Sequence, residues 1–201
     1  MIKTPTAHHP RPGGVLAAAR ERLLRPLAIT LALYGGAVLL LITGLTVINV
    51  TGFALDALAR PLGGSVPGLA GYEEVVALLI GGGALAFLPY CQLRYGHVSV
   101  DLFTLRAPPA FNAAVDRLAL VLTALLALFL GVSMIWGMAE ARADGVVSSV
   151  RSWPEWPFWL PGIVALLAWS ATAAVMAAAP PGSVSAGSHY PHAGTPDGAD
   201  G

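Results

Sequence analysis

Four long apolar runs, separated by short polar connections, dominate the pattern of residues along this chain. Each run is close to the roughly 20 residues that a helix needs to cross a hydrocarbon core about 30 Å thick. Lipid offers backbone amides and carbonyls no hydrogen-bond partners, so runs of this length are expected to be helices. The pattern therefore predicts an all-α integral membrane domain at 27–179, with four transmembrane helices at about 27–50, 75–93, 118–139 and 158–179.

The composition supports a membrane protein with little soluble structure. The 201 residues are 56% hydrophobic and only 11% charged, with a mean hydropathy of +0.70. A soluble domain of this size would need more charged residues to cover its surface. The formal net charge is +0 and there is no basic cluster, so nucleic acid is not expected as a partner. The single cysteine, Cys91, excludes an intramolecular disulfide and is expected to be a small buried hydrophobe.

Both ends of the chain are polar tails. Residues 1–26 are interrupted by prolines and carry five of the eleven Lys and Arg residues, whereas residues 180–201 are rich in Pro, Gly, Ser and Ala and are expected to be disordered. Three further arginines follow the second span, and three lie in the other two connections. Because Lys and Arg favour the cytoplasmic side of a membrane, this distribution predicts that both termini are cytoplasmic.

The interiors of the predicted spans contain no ionisable side chain apart from Cys91 and tyrosines, which argues against an ion or proton pathway through this chain alone. Their main polar residues are expected to hydrogen-bond between helices. These residues are Asn49, Thr30, Thr43, Thr46 and Thr123. Glycine runs at 35–36 and 81–83 allow two interpretations, which are close packing inside the bundle and a docking face for another membrane protein.

Polar residues near the ends of the second span have ordinary structural explanations. Glu73 and Glu74 open that span, where carboxylates suit the positive end of the helix dipole. His97 follows the span, but no span contains a partner histidine, so a haem held between two helices would lack its second imidazole. Residues 92–106, QLRYGHVSVDLFTLR, mix charged and apolar positions, which is typical of a short surface helix at the membrane interface and also of a plain interfacial loop.

The order of these features resembles the DctQ-like family, the small membrane subunits of tripartite ATP-independent periplasmic (TRAP) transporters. In that family the second span is followed by a G-H-x-x-V-D-L pattern. Gly96, His97, Val100, Asp101 and Leu102 match this pattern. The resemblance extends over about 27–179 and includes the number of spans.

Two other stretches carry the same resemblance. The family's acidic residue before the second span is similar to Glu73 or Glu74, and its lead into the fourth span is similar to residues 148–161, SSVRSWPEWPFWLP. The Pro- and Gly-rich first connection and the His-bearing tail depart from the family's pattern. By this resemblance, the acidic pair and the five motif residues are structural or interface positions, and His97 and Asp101 are expected to fix the cytoplasmic end of the second helix.

Membership implies a multi-pass protein of the cell inner (cytoplasmic) membrane that works beside a larger membrane subunit and an extracytoplasmic solute-binding protein. Such a transporter takes up small organic anions, with carboxylates expected here, by using an ion gradient. The large subunit would hold the solute and the ions, and the small one would be a lipid-embedded scaffold without catalytic residues, cofactor or metal. Two alternatives stay open: a membrane anchor subunit of a redox complex, and an independent small transporter or channel.

Overall fold

The computed structural model describes residues 18, 20–66, 68–69, 71–94 and 109–178. These residues form five α-helices and no strand beyond one isolated bridge between Val147 and Pro154. A π-helical turn, Arg20–Leu24, leads into the first helix, and a 3-10 turn, Arg60–Leu62, follows it. The helices are α1 (Arg25–Ala59), α2 (Tyr72–Leu85), α3 (Leu88–Leu93), α4 (Pro109–Ala143) and α5 (Trp156–Ala178).

Four helical stretches of the described chain are long and apolar enough to cross a membrane. They are Arg20–Leu62, Tyr72–Leu93, Ala110–Ala143 and Trp156–Ala178. The prediction of an all-α fold with four membrane-spanning helices is therefore confirmed. The second span is a pair, α2 and α3, because Pro89 lacks the N–H that would continue the helical hydrogen-bond pattern back to Leu85.

Two helices run well past the predicted spans at 27–50 and 118–139. Both α1 and α4 contain 35 residues, which corresponds to a length of about 52 Å at 1.5 Å per residue. The apolar pattern of α1 ends near Asn49, but the helix continues because polar residues beyond that point find hydrogen-bond partners in the following connection. The length of an apolar run thus underestimates the length of the helix that contains it.

The central helix is α5, which contacts α1, α2, α3 and α4. Half of its most apolar stretch (50%) is buried, compared with 17% for the first span and 11% for the third. Small side chains dominate its buried positions, and they let neighbouring backbones approach closely. These positions include Gly162, Ala165, Ala168, Ser170, Thr172 and Ala173.

Each of the two glycine runs contains a glycine that packs inside the bundle and one that faces outward. A Cβ atom on Gly83 would lie 2.7 Å from Cγ1 of Val38, and one on Gly35 would lie 2.8 Å from the carbonyl oxygen of Gly83. These two glycines therefore allow α1 and α2 to pack closely. Gly36 and Gly81 have no neighbouring atom within 4 Å of such a Cβ position, so they face away from the bundle.

The prediction that the threonines bond between helices is wrong for three of them. Thr30, Thr43 and Thr46 each donate a hydrogen bond of 2.8–2.9 Å to the carbonyl oxygen four residues earlier in α1. This local bond is always within reach of a threonine hydroxyl in a helix, so it needs no partner helix. A bond between helices is made instead by Ser170, whose hydroxyl donates to the carbonyl oxygen of Ala124 at 2.9 Å.

Candidate functional site

Polar contacts collect at the two ends of the helix bundle. We call the end at which the chain passes from α1 to α2 and from α4 to α5 the loop end. The opposite end, at which α1 begins and α3 and α5 finish, is called the terminal end. The candidate site lies at the loop end, because side chains from two helices there hold both connections.

Asn49 and Asp56 hold the first connection against α1. The Asn49 side-chain oxygen accepts a hydrogen bond of 3.0 Å from the backbone N–H of Leu69. One carboxylate oxygen of Asp56 accepts from the N–H of Val66 at 3.0 Å, and the other pairs with Arg60 at 2.8 Å. Both Asn49 and Asp56 are buried, so these bonds replace the water that burial removes. The connection consequently lies along the side of α1.

Glu74 holds the second connection. Its carboxylate accepts hydrogen bonds from the backbone N–H groups of Val150 at 2.8 Å and Arg151 at 3.1 Å. The hydroxyl of buried Ser148 also hydrogen-bonds this carboxyl group, and the same hydroxyl oxygen accepts from the N–H of Trp153 at 3.1 Å. One side chain in the first turn of α2 thus fixes the turn that leads into α5.

Arginine and tryptophan side chains flank this second connection. The Arg142 guanidinium lies over the Trp156 ring at 4.9 Å from its centroid, and that of Arg151 lies over Trp153 at 5.3 Å. Cation–π contacts of this kind contribute about 0.5–1 kcal/mol at exposed sites. Tryptophans placed where helices end are typical of a membrane interface.

An open cleft of about 620 Å³ lies between the two connections. Phe53 of α1, the first two turns of α2 and residues 148–150 form its walls. The carboxylates of Glu73, Glu74 and Glu155 line it without any Lys or Arg. Within the described ranges, no group of three His, Cys, Asp or Glu side chains is arranged to hold a metal ion. The cleft offers an acidic and partly apolar surface.

At the terminal end, arginine side chains cap the carbonyl groups of helices that finish there. Arg20 donates to the carbonyl oxygen of Leu93 at 3.4 Å, and Arg117 donates to that of Ala177 at 3.1 Å. Such cations suit the negative end of the helix dipole. Deeper in the bundle, the buried Gln92 side chain accepts from the indole N–H of Trp169 at 3.1 Å and thereby ties α3 to α5.

The structure describes two of the seven predicted site residues. Glu73 and Glu74 lie in the first turn of α2, as expected for carboxylates at a helix start. Glu74 bonds the second connection, whereas Glu73 is exposed on the cleft wall. Gly96, His97, Val100, Asp101 and Leu102 lie outside the described residues, as do residues 1–17 and 179–201. Cys91 is half-buried, so the expectation of full burial was too strong.

Sequence reasoning missed the parts of the loop end that lie beyond the apolar runs. Asp56 follows Asn49 by seven residues, a spacing that places both on one face of a helix. Continuing the helix past residue 50 would have exposed this pattern. Glu74 accepts its hydrogen bonds from Val150 and Arg151, which follow it by 76 and 77 positions in the chain. No local sequence pattern indicates contacts over such a separation.

Four helical stretches are long and apolar enough to cross a membrane, and side chains hold the two connections at the loop end. The chain is therefore a multi-pass membrane protein. The family model described as "Tripartite ATP-independent periplasmic transporters, DctQ component" matches residues 50–179, which is more than half of the chain. The chain belongs to the DctQ family and is therefore a small membrane subunit of a TRAP transporter. The DctQ family is a family of transporter components and not of enzymes. No curated protein and no solved structure matches it.

Proposed function

We propose that this chain supports a larger TRAP membrane subunit and an extracytoplasmic solute-binding protein in the ion-gradient-driven uptake of small organic anions, with carboxylates as the solutes. The family match supports the part of this proposal that makes the chain a component of a TRAP transporter. The supporting role is inferred from the types of side chain that the described helices contain. No Asp, Glu, Lys, Arg or His lies in residues 26–55, 75–93, 118–139 or 156–178.

An anionic solute and a coupling cation both need charged or strongly polar partners inside a membrane. The described helices of this chain supply no charged partners along their interiors, and the buried amides of Asn49 and Gln92 already hydrogen-bond Leu69 and Trp169. Discontinuous helices often form solute sites, but the break between α2 and α3 is closed by packing. Ala86 at this break is fully buried in a cluster with Leu31, Ala165 and Ala168. The solute and ion sites are therefore assigned to the larger subunit.

The proposed orientation places the terminal end in the cytoplasm and the loop end outside. Of the arginines that the structure describes, five lie toward the terminal end and three toward the loop end, in accordance with the positive-inside rule. The loop end, with its cleft and tethered connections, then faces the solute-binding protein on the outer side of the inner membrane. The motif residues Gly96, His97, Val100, Asp101 and Leu102 remain proposed structural positions at the cytoplasmic end of the second span.

Reconstitution tests this proposal. The chain and the larger subunit of the same organism are purified and reconstituted into liposomes. The solute-binding protein and labelled carboxylates are then added outside, together with an inward ion gradient. Uptake is expected only when all three proteins and the gradient are present. Equal uptake without this chain would contradict the supporting role.

Two controls separate the alternatives. Flux through liposomes that contain this chain alone would indicate an independent transporter or channel. A haem band in the reduced-minus-oxidised spectrum of the purified chain would indicate the anchor of a redox complex.

A further inference from the structure

Two helices expose a continuous face to the surroundings of the bundle. On each helix the exposed positions are spaced alternately by three and four residues, so they form one face. The α1 face consists of Leu33, Ala37, Leu40, Gly44, Val47, Thr51, Ala54 and Leu58. The α4 face consists of Phe111, Val115, Leu118, Leu122, Leu125, Phe129, Val132 and Trp136.

The two faces differ in side-chain size. Every position of the α4 face is valine or larger, whereas half of the positions of the α1 face are Ala, Gly or Thr. Gly44, at the middle of the α1 face, has no neighbouring atom within 4 Å of a Cβ position. Interfaces between membrane helices are rich in small residues, because lipid supplies no hydrophobic drive and close packing must hold the helices together. The α1 face thus suits a partner helix, and the α4 face suits lipid.

The length of α1 shows that lipid alone does not cover its face. Asn49 bonds Leu69, and Gly68 lies against the Phe53 ring, so α2 begins beside residues 49–53 of α1. The span Tyr72–Leu93 contains 22 residues, which is about 33 Å and just crosses the hydrocarbon core. From Phe53 the helical chain extends about 13 Å further, to the end of the 3-10 turn. The headgroup layer on that side is only about 5–8 Å thick. The end of this helical segment therefore protrudes beyond the lipid.

The apolar side chains on this protruding segment are strongly exposed. Leu58 is 72% exposed and Leu62, one turn later, is 89% exposed. The described part of the first connection contacts the opposite side of the segment, through the hydrogen bond from Val66 to Asp56. Exposed apolar surface that continues beyond the lipid indicates a protein partner.

The area available matches such a partner. Large apolar side chains on and beside the α1 face that are half or more exposed include Leu33, Leu40, Leu41, Val47, Ile48, Leu55, Leu58 and Leu62. Together they offer roughly 300–600 Å² of side-chain surface, from the transfer free energy and area coefficient of apolar side chains. Backbone and small side chains add to this value, which approaches the roughly 800 Å² per partner of a standard protein interface.

We propose that the α1 face, continued to Leu62, is the docking surface for one long apolar helix of the larger TRAP membrane subunit, which lies lengthwise against α1 and also protrudes at the loop end. The small side chains of Ala37, Gly44, Thr51 and Ala54 receive the bulky side chains of that helix. This inference rests on the proposed function, because it names the docking surface for the same partner.

A matched pair of glycine variants tests the inference. The tagged chain is co-expressed with the larger subunit, and the amount of larger subunit recovered per chain is measured after purification in mild detergent. Gly44→Leu is expected to lower this recovery tenfold or more, because the new side chain fills the groove of the α1 face. Gly81→Leu is the control, since Gly81 is also exposed and also has no neighbour within 4 Å. It is expected to retain wild-type recovery.

A second pair removes side chains instead of adding them. Leu40→Ala on the α1 face is expected to lower recovery severalfold, and Leu125→Ala on the α4 face is expected to leave it unchanged. Both leucines are well exposed, so neither truncation opens a cavity inside the chain. This pair decides the matter if Gly44→Leu does not yield a monodisperse protein.

The outcomes separate the inference from the proposed function. No recovery of the larger subunit with the wild-type chain would overturn the proposed function. Normal wild-type recovery with no loss in Gly44→Leu and Leu40→Ala would overturn the docking surface and leave the function standing. Equal losses in the control variants would also overturn it, as would disulfide-linked copies of this chain from a Gly44→Cys, Cys91→Ser variant, which would identify a second copy as the occupant.

Discussion

The interior of the bundle and its loop end are held together by different means. In the interior, α1, α2 and α5 approach closely at glycines and alanines, and a single added methyl group on Gly83 would reach within 2.7 Å of Val38. At the loop end, the side chains of Asn49, Asp56 and Glu74 instead accept hydrogen bonds from the backbone of both connections.

The surroundings of each region explain the difference. In lipid, burying an apolar side chain against another helix gains little over burying it in acyl chains, so helices associate where small residues allow close packing. Near water, the irregular connections carry backbone N–H groups that helix formation does not satisfy, and carboxylates and amides provide acceptors for them. A change in the interior should therefore affect the whole bundle, and a change at the loop end should affect one connection.

The largest effect is expected from Gly83→Ala. The added Cβ would overlap Val38, whose branched side chain has little rotational freedom, and overpacking of this kind costs about 1–3 kcal/mol. Unfolding of the purified chain in detergent, followed by helical circular dichroism, is expected to show a free energy of unfolding lower by about this amount and a lower melting temperature.

Gly81→Ala is the matched control for this change. Gly81 lies in the same helix, only two residues away, and has open space around its Cβ position. Alanine is a better helix former than glycine by up to about 1 kcal/mol, so this variant should be as stable as the wild type or more stable. If both variants behaved alike, close packing of α1 against α2 would not be what holds the interior.

A smaller and more local effect is expected from Glu74→Gln. The amide has one acceptor oxygen in place of two, so it cannot serve the N–H groups of Val150 and Arg151 equally well. Hydrogen exchange of these two amides, measured by NMR or mass spectrometry, is expected to accelerate roughly threefold to tenfold, with little change in overall unfolding.

Glu73→Gln controls for the loss of charge at the start of α2. Glu73 is exposed in the same helical turn, so its substitution changes the interaction with the helix dipole by a similar amount. Exchange at Val150 and Arg151 should stay at the wild-type rate in this variant. Acceleration by Glu73→Gln alone would mean that helix charge, and not the bonds to Glu74, orders the second connection.

The same contrast decides what could be predicted from sequence. The four spans and the family were predictable, because span length depends on local apolar composition and the resemblance rests on short contiguous motifs; both are confirmed. The sequence also showed two separate similarities to the family, one at Glu73 or Glu74 and the other at residues 148–161. It did not show that these two regions touch, through the hydrogen bond between Glu74 and Val150.

Two kinds of information were missing from the sequence. Contacts between residues far apart in the chain follow from how the helices pack, and periodicity within one helix does not report this. The sequence also cannot decide between two environments that suit a residue equally well. Thr43 satisfies its hydroxyl either within its helix or across to another, and a glycine run faces inward or outward with the same composition, as Gly83 and Gly81 do.

The smallest effect is expected from Thr43→Val, which replaces a hydroxyl by a methyl group of similar size. The Thr43 hydroxyl bonds only the carbonyl oxygen of Leu39, which already belongs to the backbone pattern of α1, and the side chain is exposed. The free energy of unfolding should change by less than about 0.5 kcal/mol. Ser170→Ala makes the useful contrast, because the Ser170 hydroxyl joins α5 to α4 at Ala124, and bonds between membrane helices contribute about 0.6 kcal/mol on average and up to about 1.7. A greater loss from Thr43→Val than from Ser170→Ala would mean that Thr43 has a partner on another helix, which would reinstate hydrogen bonding as a means of holding α1 in place.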